Sequence, residues 1–94
     1  MFLLIAYDVA TSKPEGERRL RRVARACQDF GQRVQKSVFE CQIGPMEWAQ
    51  LRERLLKEAN LAEDSLRVYY LDAGVHVEHL GAGQPFDLQG PLVV

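Results

Sequence analysis

The sequence predicts an α+β fold in which two helices lie across one face of a small antiparallel sheet. Three observations point there. The chain opens with an unbroken apolar run, "FLLIAYD" at 2–8, that ends on an acid. Two stretches, 17–30 and 45–59, carry apolar residues at helical spacing. Between and after them, "QRVQKSVFEC" (32–41) and "LRVYYL" (66–71) alternate with a period of two.

The first run reads as a central strand covered on both faces. "VATSKPEGE" (9–17) reads as a loop, with Pro14 and Gly16 as breakers and Thr11 and Ser12 as turn or capping residues. From Glu17 to about Phe30, the residues Leu20, Val23, Ala24, Cys27 and Phe30 make one apolar stripe, and Gly31 is expected to close that helix as a left-handed cap. In "QRVQKSVFEC" the apolar parity slips. Val34 and Val38 share one phase, while Phe39, Cys41 and Ile43 share the other. Such a slip implies a bulge, a bend or two short strands meeting near Lys36–Val38.

The second helix starts at "GP" (44–45), with proline in its first turn and Glu47 just inside. Trp48, Leu51, Leu55 and Ala59 form its stripe, and "EDS" (63–65) breaks it. "LRVYYL" is a strand, "VHVEHL" (75–80) a short strand, "GAGQPFDLQGP" (81–91) a loop, and the terminal "LVV" a last strand without a local mate. This order is the ferredoxin-like βαββαβ sandwich with an extra C-terminal strand, a single domain over 1–94. Two helices cover only one face of such a sheet. The other would bare apolar side chains, and the expected cover is a second copy, which makes the protein a homodimer.

Composition narrows the function. A chain of 94 residues that is 47% hydrophobic and 27% charged is an ordinary globular domain. No apolar run approaches a membrane span. The opening is too short for a signal peptide and lacks a basic flank, so the chain is read as cytoplasmic. Cys27 and Cys41 are expected as reduced, buried thiols. The net charge of -1 hides an asymmetry: residues 1–36 hold 8 of the 12 Lys and Arg but only 4 of the 13 acids. A basic half on a near-neutral protein points to a local anionic partner.

Two features could carry chemistry. Asp8 closes the first strand and, near Thr11 and Ser12, could bind a hard cation such as Mg²⁺ through oxygen, or simply cap the loop. A lone carboxylate is a weak metal site. Two Asp8 side chains facing each other across a dimer would make a better one. The second feature is the arginine row of helix one, Arg18, Arg19, Arg21, Arg22 and Arg25, with no acid between its first and last members. Like charges four apart repel, so the row calls for an anion. Planar guanidinium suits phosphate, and Arg33 and Lys36 extend the charge. An unliganded, solvated surface is the plain alternative. His76 and His79 are three apart on a strand, so they face opposite ways and do not form a metal pair.

"LLIAYDV" (3–9), "RRLRRVARAC" (18–27), "GQRVQKSVFEC" (31–41), "DSLRVYYL" (64–71), "VEHLG" (77–81) and "GPLVV" (90–94) resemble the CRISPR-associated Cas-two proteins over nearly the whole chain. The wording is similar to the branch found with type I-C systems. The resemblance implies a ferredoxin-like homodimer that bridges Cas-one integrase dimers in spacer acquisition and holds the protospacer, a double-stranded DNA, on a basic surface. It implies Asp8 as Mg²⁺ ligand. Tyr7 and Phe39 fall on motif positions tied to nuclease activity or the dimer cleft, and Ser37 falls near that cleft. It also implies that the terminal strand joins the partner's sheet. One departure stands out. Many members follow the aspartate with two more acids, where this loop has Thr11 and Ser12 and only a later Glu15.

These readings leave a leading function, a duplex-holding homodimer, with Phe39, Cys41 and Ile43 expected at the dimer face. The runner-up is a Mg²⁺-dependent endonuclease acting on RNA or DNA through Asp8, Tyr7, Ser37 and Phe39. A third, a small-molecule regulatory domain, predicts a pocket but leaves the arginine row unexplained.

Overall fold

The computed structural model describes residues 1–72, 74 and 76–83. The chain runs β1 (Phe2–Asp8), α1 (Pro14–Phe30), β2 (Gln32–Gln35), β3 (Val38–Gln42), α2 (Pro45–Glu58), β4 (Ser65–Tyr70) and β5 (His76–Gly81). The strands form one antiparallel sheet in the order β2-β3-β1-β4-β5, so β1 is central, as its apolar run requires. This is the expected α+β ferredoxin-like arrangement. The expected terminal strand at 92–94 lies outside the described residues.

Strand parity sorts the side chains. Leu3, Ile5, Tyr7, Phe39, Cys41, Leu66 and Val68 point to the helix side and are buried with Val23, Ala26, Cys27, Trp48, Leu51 and Leu55. Leu4, Ala6, Val38 and Tyr69 have the opposite parity, lie opposite one another in register, and are only half-buried. Among the described residues no helix covers that face. The expected uncovered face is there, but it is mixed: Glu40 stands opposite Leu4 and Arg67 opposite Ala6 on the same side, and its membership differs from the expected one. Phe39 and Cys41 are fully enclosed on the helix side of one chain, and Ile43 is 7% exposed. They are core, not dimer face, because Phe39 pairs with Ile5 and Cys41 with Leu3, both helix-side residues of β1.

The parity slip is real and has two components. β2 and β3 form a hairpin through Lys36–Ser37, and the β2–β3 register shifts between Arg33 and Gln35. Among the described residues no non-glycine has a positive φ, so the Lys36–Ser37 turn is not one of the primed types that match strand twist. The irregular register sits beside that poorer turn.

Four boundary expectations need correction. α1 begins at Pro14, not Glu17, because proline at N1 lacks only an N–H that would have no partner there. Gly16 is no breaker. It is buried in the first turn, where an added Cβ would lie 1.8 Å from the Ala10 carbonyl oxygen. Lys13 is the N-cap and no side chain caps the helix, so Thr11 and Ser12 do not serve that role. Gly31 ends α1 in extended geometry, φ -153°, not as a left-handed cap. Its missing side chain matters for space: a Cβ there would meet Cys41 Sγ at 2.4 Å and the Glu40 carbonyl oxygen at 2.5 Å. α2 starts as expected, with Glu47 accepting the Gly44 N–H at 3.1 Å.

Candidate nucleic-acid interface

The helical phase of α1 divides its arginines. Arg18, Arg22 and Arg25 follow i, i+4, i+7 spacing and point to solvent, 53%, 53% and 75% exposed. The acids missing from the row are supplied by its flanks and by α2. Arg18 lies 4.0 Å from Glu15, Arg22 Nε 2.7 Å from Glu58, and Arg25 Nε 3.5 Å from Asp29. Asp29 also takes Arg54 at 2.8 Å, and that hydrogen bond holds its carboxyl below the usual range. Exposed pairs of this kind are weak and salt-sensitive, so a polyanion can compete for these cations.

Arg19 is different, and its place in the basic row is corrected. Spaced four from Val23 and seven from Ala26, it sits on the core side of α1, only 13% exposed. Its Nε and Nη2 donate to the two Asp64 oxygens at 3.0 and 3.2 Å, and Nη2 reaches Glu63 at 3.3 Å. Asp64 has no solvent exposure. It also accepts the backbone N–H of Ala10 at 3.0 Å and of Asn60 at 2.8 Å, while its own carbonyl accepts the Ala82 N–H at 2.8 Å. Burial pushes its carboxyl pKa up, but Arg19 and the two N–H groups outweigh burial and leave it lowered. One side chain thus ties the β1–α1 loop, α1 and the end of α2. The sequence marked Asp64 only as a helix breaker. The available signal was the 4–3 spacing that places an arginine on the core side of an amphipathic helix.

Arg21, Arg33 and Lys36 have no carboxylate within ion-pair reach among the described residues. They converge on a groove of about 590 Å³ between α1 and the β2–β3 hairpin, which Tyr7, Leu20, Ala24 and Val34 also line. Arg33 rests over the Phe39 ring, 5.1 Å from its centroid, and Phe39 stacks on Tyr7 at 6.1 Å. The Tyr7 hydroxyl donates to the Lys36 carbonyl at 3.4 Å. Burial raises the Tyr7 phenol pKa, and Arg33 works against that.

Asp8 stands elsewhere. It is exposed at the end of β1 and shares the parity of Leu4 and Ala6, whereas Tyr7 and Phe39 are on the helix side. Ser37 is in the hairpin turn, where its carbonyl accepts the Tyr7 N–H at 3.0 Å. The four residues expected to act together, Asp8, Tyr7, Ser37 and Phe39, are therefore split between two faces. Asp8 lies in register with Ser65, whose Oγ contacts His79 Nε2 at 3.0 Å. That nitrogen also lies 2.9 Å from the Ala82 carbonyl, which can only accept, so Nε2 carries the proton. Sequence reading missed this Ser65–His79 pair because cross-strand neighbours are invisible without the register. Among the described residues, no cluster of three or more His, Cys, Asp or Glu could hold a metal ion. In a single chain the residues around Asp8 do not fit a Mg²⁺ site. His76 packs on the Tyr70 ring at 5.3 Å, apart from His79, as the spacing predicts. Both cysteines are free and buried, and burial pushes the Cys27 thiol up to about 12. No helix among the described residues is long and apolar enough to cross a membrane.

The sequence profile of the family described as "CRISPR associated protein Cas2" matches residues 1–77. The chain is 54% identical to a protein of Nitratidesulfovibrio vulgaris named "CRISPR-associated endoribonuclease Cas2", over 100% of this chain and 94% of that one. It is 46% identical to "CRISPR-associated endonuclease Cas2" of Halalkalibacterium halodurans, over 99% of each. The crystal structure of Streptococcus pyogenes Cas2 superposes with a TM-score of 0.72 at 46% identity, covering 79% of this chain and 89% of that one. The fold and the full-length relatives agree: the chain belongs to the CRISPR-associated Cas2 (Cas-two) family.

Proposed function

We propose that the protein is a cytoplasmic homodimer that holds double-stranded DNA in the CRISPR adaptation complex and bridges Cas-one integrase dimers there. One observation carries this reading. The same chain presents a sheet face that no described helix covers, with Leu4, Ala6, Val38 and Tyr69 on it, and a solvent-facing row of Arg18, Arg22 and Arg25 held only by weak surface pairs. Two-fold pairing through the open face doubles that row across one assembly, which suits two stretches of a duplex backbone.

The test is the salt dependence of binding to a blunt DNA duplex. Neutralising Arg18 and Arg22 to alanine should lower the log–log salt slope by about 2 per chain, near 0.9 per lost phosphate contact. An unchanged affinity and slope would make the row ordinary surface.

The names of the relatives, an endoribonuclease and an endonuclease, favour a second reading in which the protein cleaves nucleic acid; we propose Mg²⁺ on Asp8 as the metal of that reading. Among the described residues no group of three or more ligands gathers in one chain, so this reading requires the Asp8 side chains of two protomers to meet across the dimer. Asp8→Ala then abolishes cleavage while leaving duplex binding nearly intact. Cleavage that survives the substitution excludes Asp8 as the ligand.

A further inference from the structure

We infer that the groove between α1 and the β2–β3 hairpin holds a single unpaired nucleotide, with its phosphate on Arg21, Arg33 and Lys36 and its base against Leu20, Ala24 and Val34. The inference deepens the nucleic-acid reading above and rests on it.

The pairing pattern of the basic residues leads to it. Arg18, Arg22 and Arg25 are matched to acids at the surface, and Arg19 is locked to Asp64 inside. The three cations of this region that meet no carboxylate among the described residues, Arg21, Arg33 and Lys36, line one concavity from two different elements. Cations brought together without acids repel one another, and an anion in the groove removes that cost. Two planar forks and an ammonium supply the donors that phosphate oxygens take.

Phosphate alone does not account for the rest of the lining. Leu20 and Ala24 are one turn apart on α1 and make an apolar floor. Val34, 44% exposed on the edge strand, makes a wall. The bases of an intact duplex are stacked on one another and cannot present a face to such a floor, whereas an unpaired base can. The volume, about 590 Å³, falls in the range that holds small ligands. Contact with Phe39 fixes the Arg33 guanidinium in place before any ligand arrives. An unpaired nucleotide has two sources, a free nucleoside monophosphate or the frayed or tailed end of a strand.

The experiment uses the full chain and three probes: a blunt DNA duplex, the same duplex with a short single-stranded tail, and adenosine monophosphate. The tailed duplex should bind at least about tenfold tighter than the blunt one at equal salt, near the worth of one stacked base. Ala24→Leu fills the floor, and Val34→Asn strips the wall at an exposed edge position. Each should erase the tail's advantage and leave blunt-duplex affinity unchanged. If the tail confers nothing but adenosine monophosphate binds, resists competition by inorganic phosphate, and is lost in both variants, the occupant is the free nucleotide. If neither probe is preferred while the blunt duplex still binds, the groove inference is overturned and the duplex reading stands. Loss of blunt-duplex binding in the unmodified protein overturns both.

Discussion

Replacing Phe39 with alanine distinguishes a core position from an interface position. The side chain has no solvent exposure, stacks on Tyr7 at a centroid distance of 6.1 Å and lies beneath Arg33. Truncating a phenylalanine so enclosed removes its transfer free energy and leaves a cavity, together about 3–5 kcal/mol. For a domain of this size each kcal/mol is worth about 4–8 °C of melting temperature, so the loss should be at least ~12 °C. Against a typical total stability of about 5–15 kcal/mol, the variant is marginal. Thermal and urea unfolding followed by circular dichroism, at two protein concentrations, gives the answer. The fall in melting temperature should be similar at both concentrations, because the lost contacts lie within one chain. The reasoning is refuted if the melt stays within about 4 °C of the unmodified protein while sedimentation shows the mass has halved. Phe39 would then belong to the contact between subunits.

Two further predictions follow from the same structure. Leu4→Glu places a charge in the middle of the open sheet face, between Glu40 and Tyr69, and should shift the protein to monomer in sedimentation while circular dichroism keeps the folded spectrum. Asp64 has a lowered pKa in the folded state, so its charged form favours folding. That contribution is complete above the ordinary aspartate value of ~3.9 and disappears as pH falls through the lower folded value. Urea midpoints measured down that acid range should therefore fall more steeply for the unmodified protein than for Asp64→Asn.

The sheet and helices were legible because their signals are local. The unbroken apolar run of 2–8 marked the central strand, and the slip in "QRVQKSVFEC" announced a bulge, a bend or two short strands where the hairpin and its irregular register lie. What escaped depended on residues distant in sequence. Gly16 and Gly31 read as punctuation, yet each is required by a close approach to Ala10 and to Cys41. Asp64 read as a break, yet it is the buried acceptor for groups up to 54 residues away. Arg19 could not be separated from its neighbours by charge, only by helical phase and by the acid it meets across the fold. The candidate site was legible in part. The basic row was visible, but which of its members are committed to acids was not. The assignment of Phe39 to the dimer face failed because parity says which residues share a face, not which face the helices cover.

The central claim is tested most directly by sedimentation of the protein with a labelled blunt DNA duplex at low and physiological salt. Two chains per duplex at low salt, weakening steeply as salt rises, is the predicted result. A monomer that sediments unchanged in the presence of the duplex at both salt concentrations would contradict it.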